Sequence, residues 1–226
     1  MKFGGTSVGD ANCIGRAAAI VKSTAAQRPV VAVVSAMSGV TNRLVAASQK
    51  AEQGEQEFIS QLIADLHTQH IAALEALTKN PKSREETSSA IREVLGELER
   101  LLRGTAMLRE LTPRALDAIS GIGERLSAPL VSAAVNELGV RATAISATEL
   151  IVSDPHHGRA EPLMGPTRHR ATAKLKPLLD QKIVPIVTGF IAATPEGVQT
   201  TLGRGGSDYS ATILGAALDE IGRAHV

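Results

Sequence analysis

The run Pro29-Val30-Val31-Ala32-Val33-Val34 constrains this chain more than any other stretch. It is apolar without alternation and rich in β-branched residues. A strand apolar on both faces must be covered on both faces, which is the condition of a parallel sheet between two layers of helix. The stretches 141–145 and 183–187 read the same way. Pro185 in the second of these predicts an edge strand or a bulge, because proline cannot donate to a ladder. Helical patterns lie between the strands, at about 10–26, 40–50, 123–137, 167–179 and 207–218. Asp10 is placed to cap the first, and Gly139 to end the third as its C′ residue. Strands separated by helices make βαβ units, so the predicted fold class is α/β with a mostly parallel sheet.

One region lacks strands. Over about 55–109, Phe58, Leu62, Leu66, Ala73 and Leu77 form one helical stripe. Ile91, Val94, Leu95, Leu98, Leu101 and Leu102 form another. Asn80-Pro81-Lys82-Ser83 joins them as a turn, with Ser83 and Glu86 spaced as a capping box. This predicts a helical insertion. His67 and His70 stand at i, i+3 on its first helix, but no carboxylate or cysteine cluster joins them, and no metal site is expected.

Composition removes several classes of function. Lys and Arg number 24 against 23 Asp and Glu, a net charge of +1, so no basic surface for nucleic acid is expected. Aromatics are 2% and Trp is absent, which argues against base stacking. No apolar run approaches the ~20 residues of a membrane span, and no signal segment opens the chain. The single cysteine, Cys13, forms no internal disulfide and suits a reducing compartment, so a cytoplasmic location is expected.

Chemistry concentrates in three glycine-bearing turns, each ahead of a helix. They are Gly4-Gly5-Thr6-Ser7, Ser35-Ala36-Met37-Ser38-Gly39-Val40-Thr41-Asn42, and Gly203-Arg204-Gly205-Gly206-Ser207-Asp208. In a parallel sheet, the strand C-termini and the following helix N-termini share one edge. Bare backbone and free N–H groups there make an anion cradle. The P-loop pattern is absent, because Lys2 precedes its glycines instead of following them. The dinucleotide fingerprint and the hydrolase nucleophile elbow are absent too. Glu124 falls in the first turn of a helix, where a carboxylate is also favoured simply by the helix dipole. Arg204 between glycines presents a planar fork suited to a carboxylate or phosphate. Glu124 and Arg204 together match the two ends of a free amino acid. Lys2 and the turn N–H groups suit phosphoryl transfer, which is mostly positioning and charge neutralisation.

Lys2-Phe3-Gly4-Gly5-Thr6-Ser7-Val8, Gly123-Glu124-Arg125-Leu126-Ser127 and Leu202-Gly203-Arg204-Gly205-Gly206-Ser207-Asp208-Tyr209-Ser210 resemble, in order and spacing, the catalytic domain of the aspartate kinases. The resemblance runs from about residue 2 to 218. It implies the amino-acid kinase fold, a three-layer αβα sandwich. It also implies transfer of the γ-phosphoryl of ATP, with Mg²⁺ on the nucleotide phosphates, to the side chain of L-aspartate. That reaction opens lysine, threonine, methionine and isoleucine synthesis. By the same resemblance Lys2 touches the transferred phosphoryl group, and Asp208 organises the transfer site by orienting Lys2. Ser35 and Thr41 lie near substrate and phosphate, and Ser207 belongs to a substrate-contacting loop. Glu124 takes the aspartate ammonium and Arg204 its α-carboxylate. Gly4, Gly5, Thr6, Ser7, Gly205 and Gly206 form the phosphate loops. The segment 154–159, with its paired histidines, corresponds to a loop over the site.

Against that family the sequence starts late on its first strand. It also lacks the later nucleotide-binding loop and the ACT regulatory domains. Residues 1–220 are therefore expected to be an incomplete catalytic domain of a longer, homo-oligomeric protein. Residues 221–226, which back-translate to a sequencing-adapter read, are expected to be a non-native tail. The fragment alone is expected to turn over poorly. Two alternatives remain at this point: a kinase for glutamate or N-acetylglutamate, and a catalytically dead binding module.

Overall fold

A computed structural model describes residues 1–203 and 205–218. Arg204 and the tail at 221–226 lie outside the described residues.

The main sheet contains β1 (Lys2–Phe3), β2 (Ala32–Val34), β3 (Ala142–Ile145) and β4 (Val184–Thr188). The strand order is β1-β2-β4-β3, and every pair is parallel. The helices are α1 (Ala11–Ala25), α2 (Val40–Glu52), α3 (Glu57–Leu77), α4 (Pro81–Leu108), α5 (Pro113–Ser120), α6 (Ile122–Glu137), α7 (Met164–Asp180) and α8 (Gly206–Ala217). Side-chain alternation along the strands divides the core. Phe3, Ala32, Val34, Val184 and Ile186 face a cluster that includes residues of α1 to α6. Val33 and Val187 face a second cluster with α7 and α8. The expected three layers are present. A doubly covered sheet explains why these strands carry no polar alternation.

The insertion is a helical pair that packs on α6 and α2. Ile59, Leu66, Leu74, Ile91, Leu98 and Leu102 are fully buried. Each contributes about 1.5–3 kcal/mol by leaving water. The cap of α4 differs from the expected Ser83–Glu86 box. The helix starts earlier, at Pro81, and Asn80 Oδ1 accepts from the Ser83 N–H at 3.2 Å. Proline fits there because the first helical N–H has no intrahelical partner. Asp10 caps α1 as expected, accepting from the Cys13 N–H at 2.7 Å. Gly139 follows α6 at φ +82°, the left-handed C′ position.

Pro185 is neither at an edge nor at a bulge. It lies in β4, between β2 and β3. The Val184 N–H donates to Arg141 O and the Gly189 N–H to Val34 O, so odd positions of β4 face β2. Continuing the register Ala32↔Ile186 puts Pro185 opposite Val31, with its nitrogen toward Val30 O, ahead of the first residue of β2. No ladder bond is lost, and proline is tolerated.

Two features carried no clear signal in the sequence. One is α5. The other is an antiparallel ribbon of β5 (Ile191–Ala193) and β6 (Gln199–Thr201). The third glycine turn therefore leaves this ribbon and not the parallel sheet.

Candidate active site

The strand register sets the first side chain. Phe3 is buried in the first core cluster, so its neighbour Lys2 projects to the opposite face of β1, toward α8. There the Lys2 ammonium crosses Gly4 and lies 3.1 Å from Asp208 Oδ2. Asp208 occupies the first turn of α8, where a carboxylate is favoured by the positive end of the helix dipole. Gly205, at φ +76°, is the residue that turns the chain into this helix. The two side chains are 23% and 52% exposed, so solvent leaves the pair worth only about 0–1 kcal/mol. Its consequence is orientation of an ammonium group and not stability.

The second turn meets the first and third through hydroxyl groups. Ser38 Oγ donates to Gly5 O at 3.0 Å. Ser35 Oγ donates to Ser207 Oγ at 2.8 Å, while Ser127 Oγ of α6 donates to Ser35 O at 2.6 Å. The three glycine turns and the start of α6 thus form one connected edge.

Glu124 is in the first turn of α6 and is 4% exposed. A side chain at Gly123 would come within 2.5 Å of Ala36 Cβ, so only glycine lets the helix start this close to the second turn. That approach brings the Ala36 N–H to Glu124 Oε1 at 3.1 Å. Oε2 is buried with no partner. The neighbouring Arg125 gives no help. It turns away to make two bonds with Glu97 of α4, at 2.8 and 2.6 Å. Burial therefore pushes the Glu124 carboxyl up to about 8, against the smaller opposing effect of the Ala36 N–H. A cation at Oε2 would supply the missing partner and restore the charged form.

These groups line a cleft of about 540 Å³, a size suited to small substrates. Of the predicted residues, Lys2, Gly5, Ser35, Thr41, Glu124, Gly205, Gly206, Ser207 and Asp208 face it. Gly4 lies beneath the Lys2 ammonium. Thr6 and Ser7 are in the short 3-10 turn Gly5–Val8, away from the lining. Gly158, from the loop expected over the site, lines the cleft too, and so do Asp117, Phe190 and Thr201, which were not singled out from the sequence. Their chemistry depends on the ribbon and on α5, which left no local pattern. The paired histidines each meet an aspartate: His156 Nδ1 lies 2.8 Å from Asp154, and His157 Nδ1 lies 2.7 Å from Asp117. His70 sits in the core with Nδ1 donating to Leu66 O at 2.7 Å. Among the described residues no helix is long and apolar enough to cross a membrane.

The amino acid kinase family matches residues 1–220. Lysine-sensitive aspartokinase 3 of Escherichia coli is 37% identical over 222 residues, covering 96% of this chain and 46% of that protein. The chloroplastic aspartokinase 1 of Arabidopsis thaliana is 35% identical over 222 residues, covering 96% and 38%. The solved structure of E. coli aspartokinase III in complex with aspartate and ADP superposes with a TM-score of 0.84 at 33% identity, over 97% of this chain and 46% of that one. The chain thus spans less than half the length of these relatives. Three glycine turns gathered on one edge of a covered parallel sheet, and a match across nearly the whole chain, lead to one conclusion: this chain belongs to the amino acid kinase family.

Proposed function

We propose that residues 1–220 are part of an aspartate kinase, which moves the γ-phosphoryl of ATP to the side-chain carboxylate of L-aspartate and yields 4-phospho-L-aspartate. The carrying observation is Glu124. A buried carboxyl with an unpartnered oxygen, in a cleft that also holds an oriented ammonium, calls for a cationic group on the substrate. An α-ammonium meets that need. The E. coli relative bound to aspartate and ADP supports the same reading.

Each group then has a task. Glu124 binds the ammonium of aspartate, and Arg204 is assigned its α-carboxylate. Ser207 and Ser35, already joined by a hydrogen bond, lie beside the acceptor. The acceptor carboxylate is ionised at neutral pH, so no general base is required. Lys2 neutralises the equatorial charge that grows on the transferred phosphoryl group, and Asp208 holds Lys2 in line for it. Gly205 has open space where a side chain would stand, and the bare Gly4 lets the Lys2 ammonium cross it. Mg²⁺ commonly takes one or two carboxylates and otherwise rides on phosphates. Asp208 is the half-exposed carboxylate beside the phosphate turns. The ion would supply further charge neutralisation.

A kinase for N-acetylglutamate is disfavoured by the same observation, because an acetylated amine is uncharged and brings no cation to the buried Glu124 carboxyl. The remaining parts of the proposal are that the chain is one segment of a longer homo-oligomer, and that purified 1–226 turns over poorly. The test uses the full-length protein. ADP release from Mg-ATP should require L-aspartate and not N-acetylglutamate. Aspartate-independent release, or preference for the acetylated acceptor, would reject the reading.

A further inference from the structure

Asp117 is the most heavily bonded side chain in the cleft wall, and the reaction as outlined does not use it. It is 2% exposed, on α5 ahead of the helix that carries Glu124. Oδ1 accepts from Thr201 Oγ1 at 2.6 Å and Oδ2 from His157 Nδ1 at 2.7 Å. The Gly158 N–H reaches both oxygens at 3.1 Å. Its own carbonyl accepts from Gln199 Nε2 at 2.9 Å. Asp117 thus ties α5 to the 154–159 turn and to Thr201 through its carboxylate, and to Gln199 through its carbonyl.

What it ties is the acceptor side of the cleft. Gly158 and Thr201 line the cleft with Asp117. A Cβ at Gly203 would stand 3.2 Å from Gly158 O, so the 154–159 turn lies directly against the start of the third glycine turn. The Ala160 N–H also donates to Thr201 O at 2.9 Å. The backbone leading into Arg204 and Ser207 is therefore braced by a turn that Asp117 holds. A buried carboxylate is kept only where its acceptor capacity is filled, and here both oxygens are.

We propose that Asp117 is a positioning residue for the acceptor amino acid: through His157, Gly158 and Thr201 it sets the placement of Gly203 and of the turn that leads to Ser207. This rests on the aspartate kinase reading. The carboxylate accepts only, so the His157 Nδ1 must carry the proton. In Asp117→Asn, one oxygen remains for Thr201 and Gly158, and the amide now faces His157. There the amide N–H and the Nδ1–H stand donor against donor, and the tie from α5 to the turn is weakened.

The experiment compares full-length wild type, Asp117→Asn and Asp117→Asn/His157→Phe at one pH. ADP formation is followed at varied aspartate and varied ATP. Hydrogen exchange of peptides spanning 154–161 is read on the same samples. In Asp117→Asn, KM for aspartate should rise about tenfold, with kcat and KM for ATP within about twofold of wild type; tenfold corresponds to about 1.4 kcal/mol. The double variant, which removes the opposed donor, should not fall further than Asp117→Asn. The 154–161 amides should exchange faster in Asp117→Asn. Wild-type KM in Asp117→Asn, parallel loss of kcat and ATP affinity, or unchanged exchange would each overturn the inference. If wild type forms no ADP in response to aspartate, the kinase reading fails instead. Exchange then still decides whether Asp117 holds the turn.

Discussion

The helical pair α3–α4 and the glycine-rich sheet edge lie in one fold and obey different rules. The pair covers about a fifth of the chain and contributes no residue to the cleft lining. Its elements run 21 and 28 residues, long enough for a buried stripe to repeat over many turns. The cleft edge has strands of 2–5 residues and turns between them. Periodicity is redundant in the first region and nearly absent in the second. The link between them is the packing of the pair on α6 and α2, where Glu97 of α4 also grips Arg125 of α6, one residue past Glu124. Stability gathers in one place and chemistry in the other, and four changes should pull them apart.

Lys2→Ala should separate them most. In the full-length protein, kcat should fall about 10²–10³-fold, the scale of losing one charge-stabilising group in a transition state. Aspartate affinity and melting temperature should stay close to wild type. Steady-state kinetics with calorimetric binding checks this, and unchanged kcat would remove Lys2 from the reaction.

Leu98→Ala is the converse. Leu98 is fully buried in the helical pair, and its truncation should cost about 2–5 kcal/mol of unfolding free energy. At temperatures where the variant stays folded, KM and kcat should hold. Denaturant melts beside kinetics would show whether the insertion is only a scaffold.

Glu124→Gln should move the two properties in opposite directions. Folded Glu124 titrates at about 8, whereas an ordinary glutamate titrates near 4.5. The folded chain therefore keeps a proton that the unfolded chain releases. Stability from this group is full below about pH 4.5 and is lost as pH rises through about 8. The glutamine variant should abolish that decline and melt higher than wild type at pH 8 without substrate. Its aspartate affinity should drop about 10–100-fold, the value of a charge-assisted hydrogen bond. In wild type, aspartate binding near pH 7 should release close to one proton, measurable by calorimetry in buffers of different ionisation enthalpy. Binding without proton release would place the ammonium elsewhere.

The smallest effect is expected at His70, inside the helical pair. Burial holds its imidazole below the ordinary 6.5, with Arg43 and His67 acting in the same direction. The unfolded chain takes up the proton first, so this contribution is present above about 6.5 and is lost as pH falls through the lower folded value. His70→Leu should flatten the acid side of the melting profile and leave the kinetics alone. An unchanged slope would show that His70 is not the sensor.

The extent to which the sequence revealed this molecule follows from the same contrast. The stripes of α3 and α4, the cap at Asp10, and the doubly apolar strands were legible because each is a local pattern with a local cause. Pro185 misled because the cost of a proline depends on which neighbour its missing N–H would face. Ser83 misled because Asn80 and Pro81 offered an earlier start. The β5–β6 ribbon was missed because strands of three residues hold too few side chains to show a period. Asp117 was missed because nothing beside it in the chain marks it; its partners stand 40 to 84 residues away.

Spacing and residue type were sufficient for a parallel sheet covered on both faces and for three glycine turns ahead of helices, and they pointed to Lys2, Glu124 and Asp208 as candidates. Only the packed chain decided what those groups became. Alternation along β1 and the start of α8 brought Lys2 to Asp208. The close approach of α6 to Ala36 left one Glu124 oxygen paired and the other bare, and enclosure then raised its carboxyl. Charge behaves this way because desolvation and hydrogen bonding depend on everything surrounding an atom. A linear sequence contains that environment only implicitly.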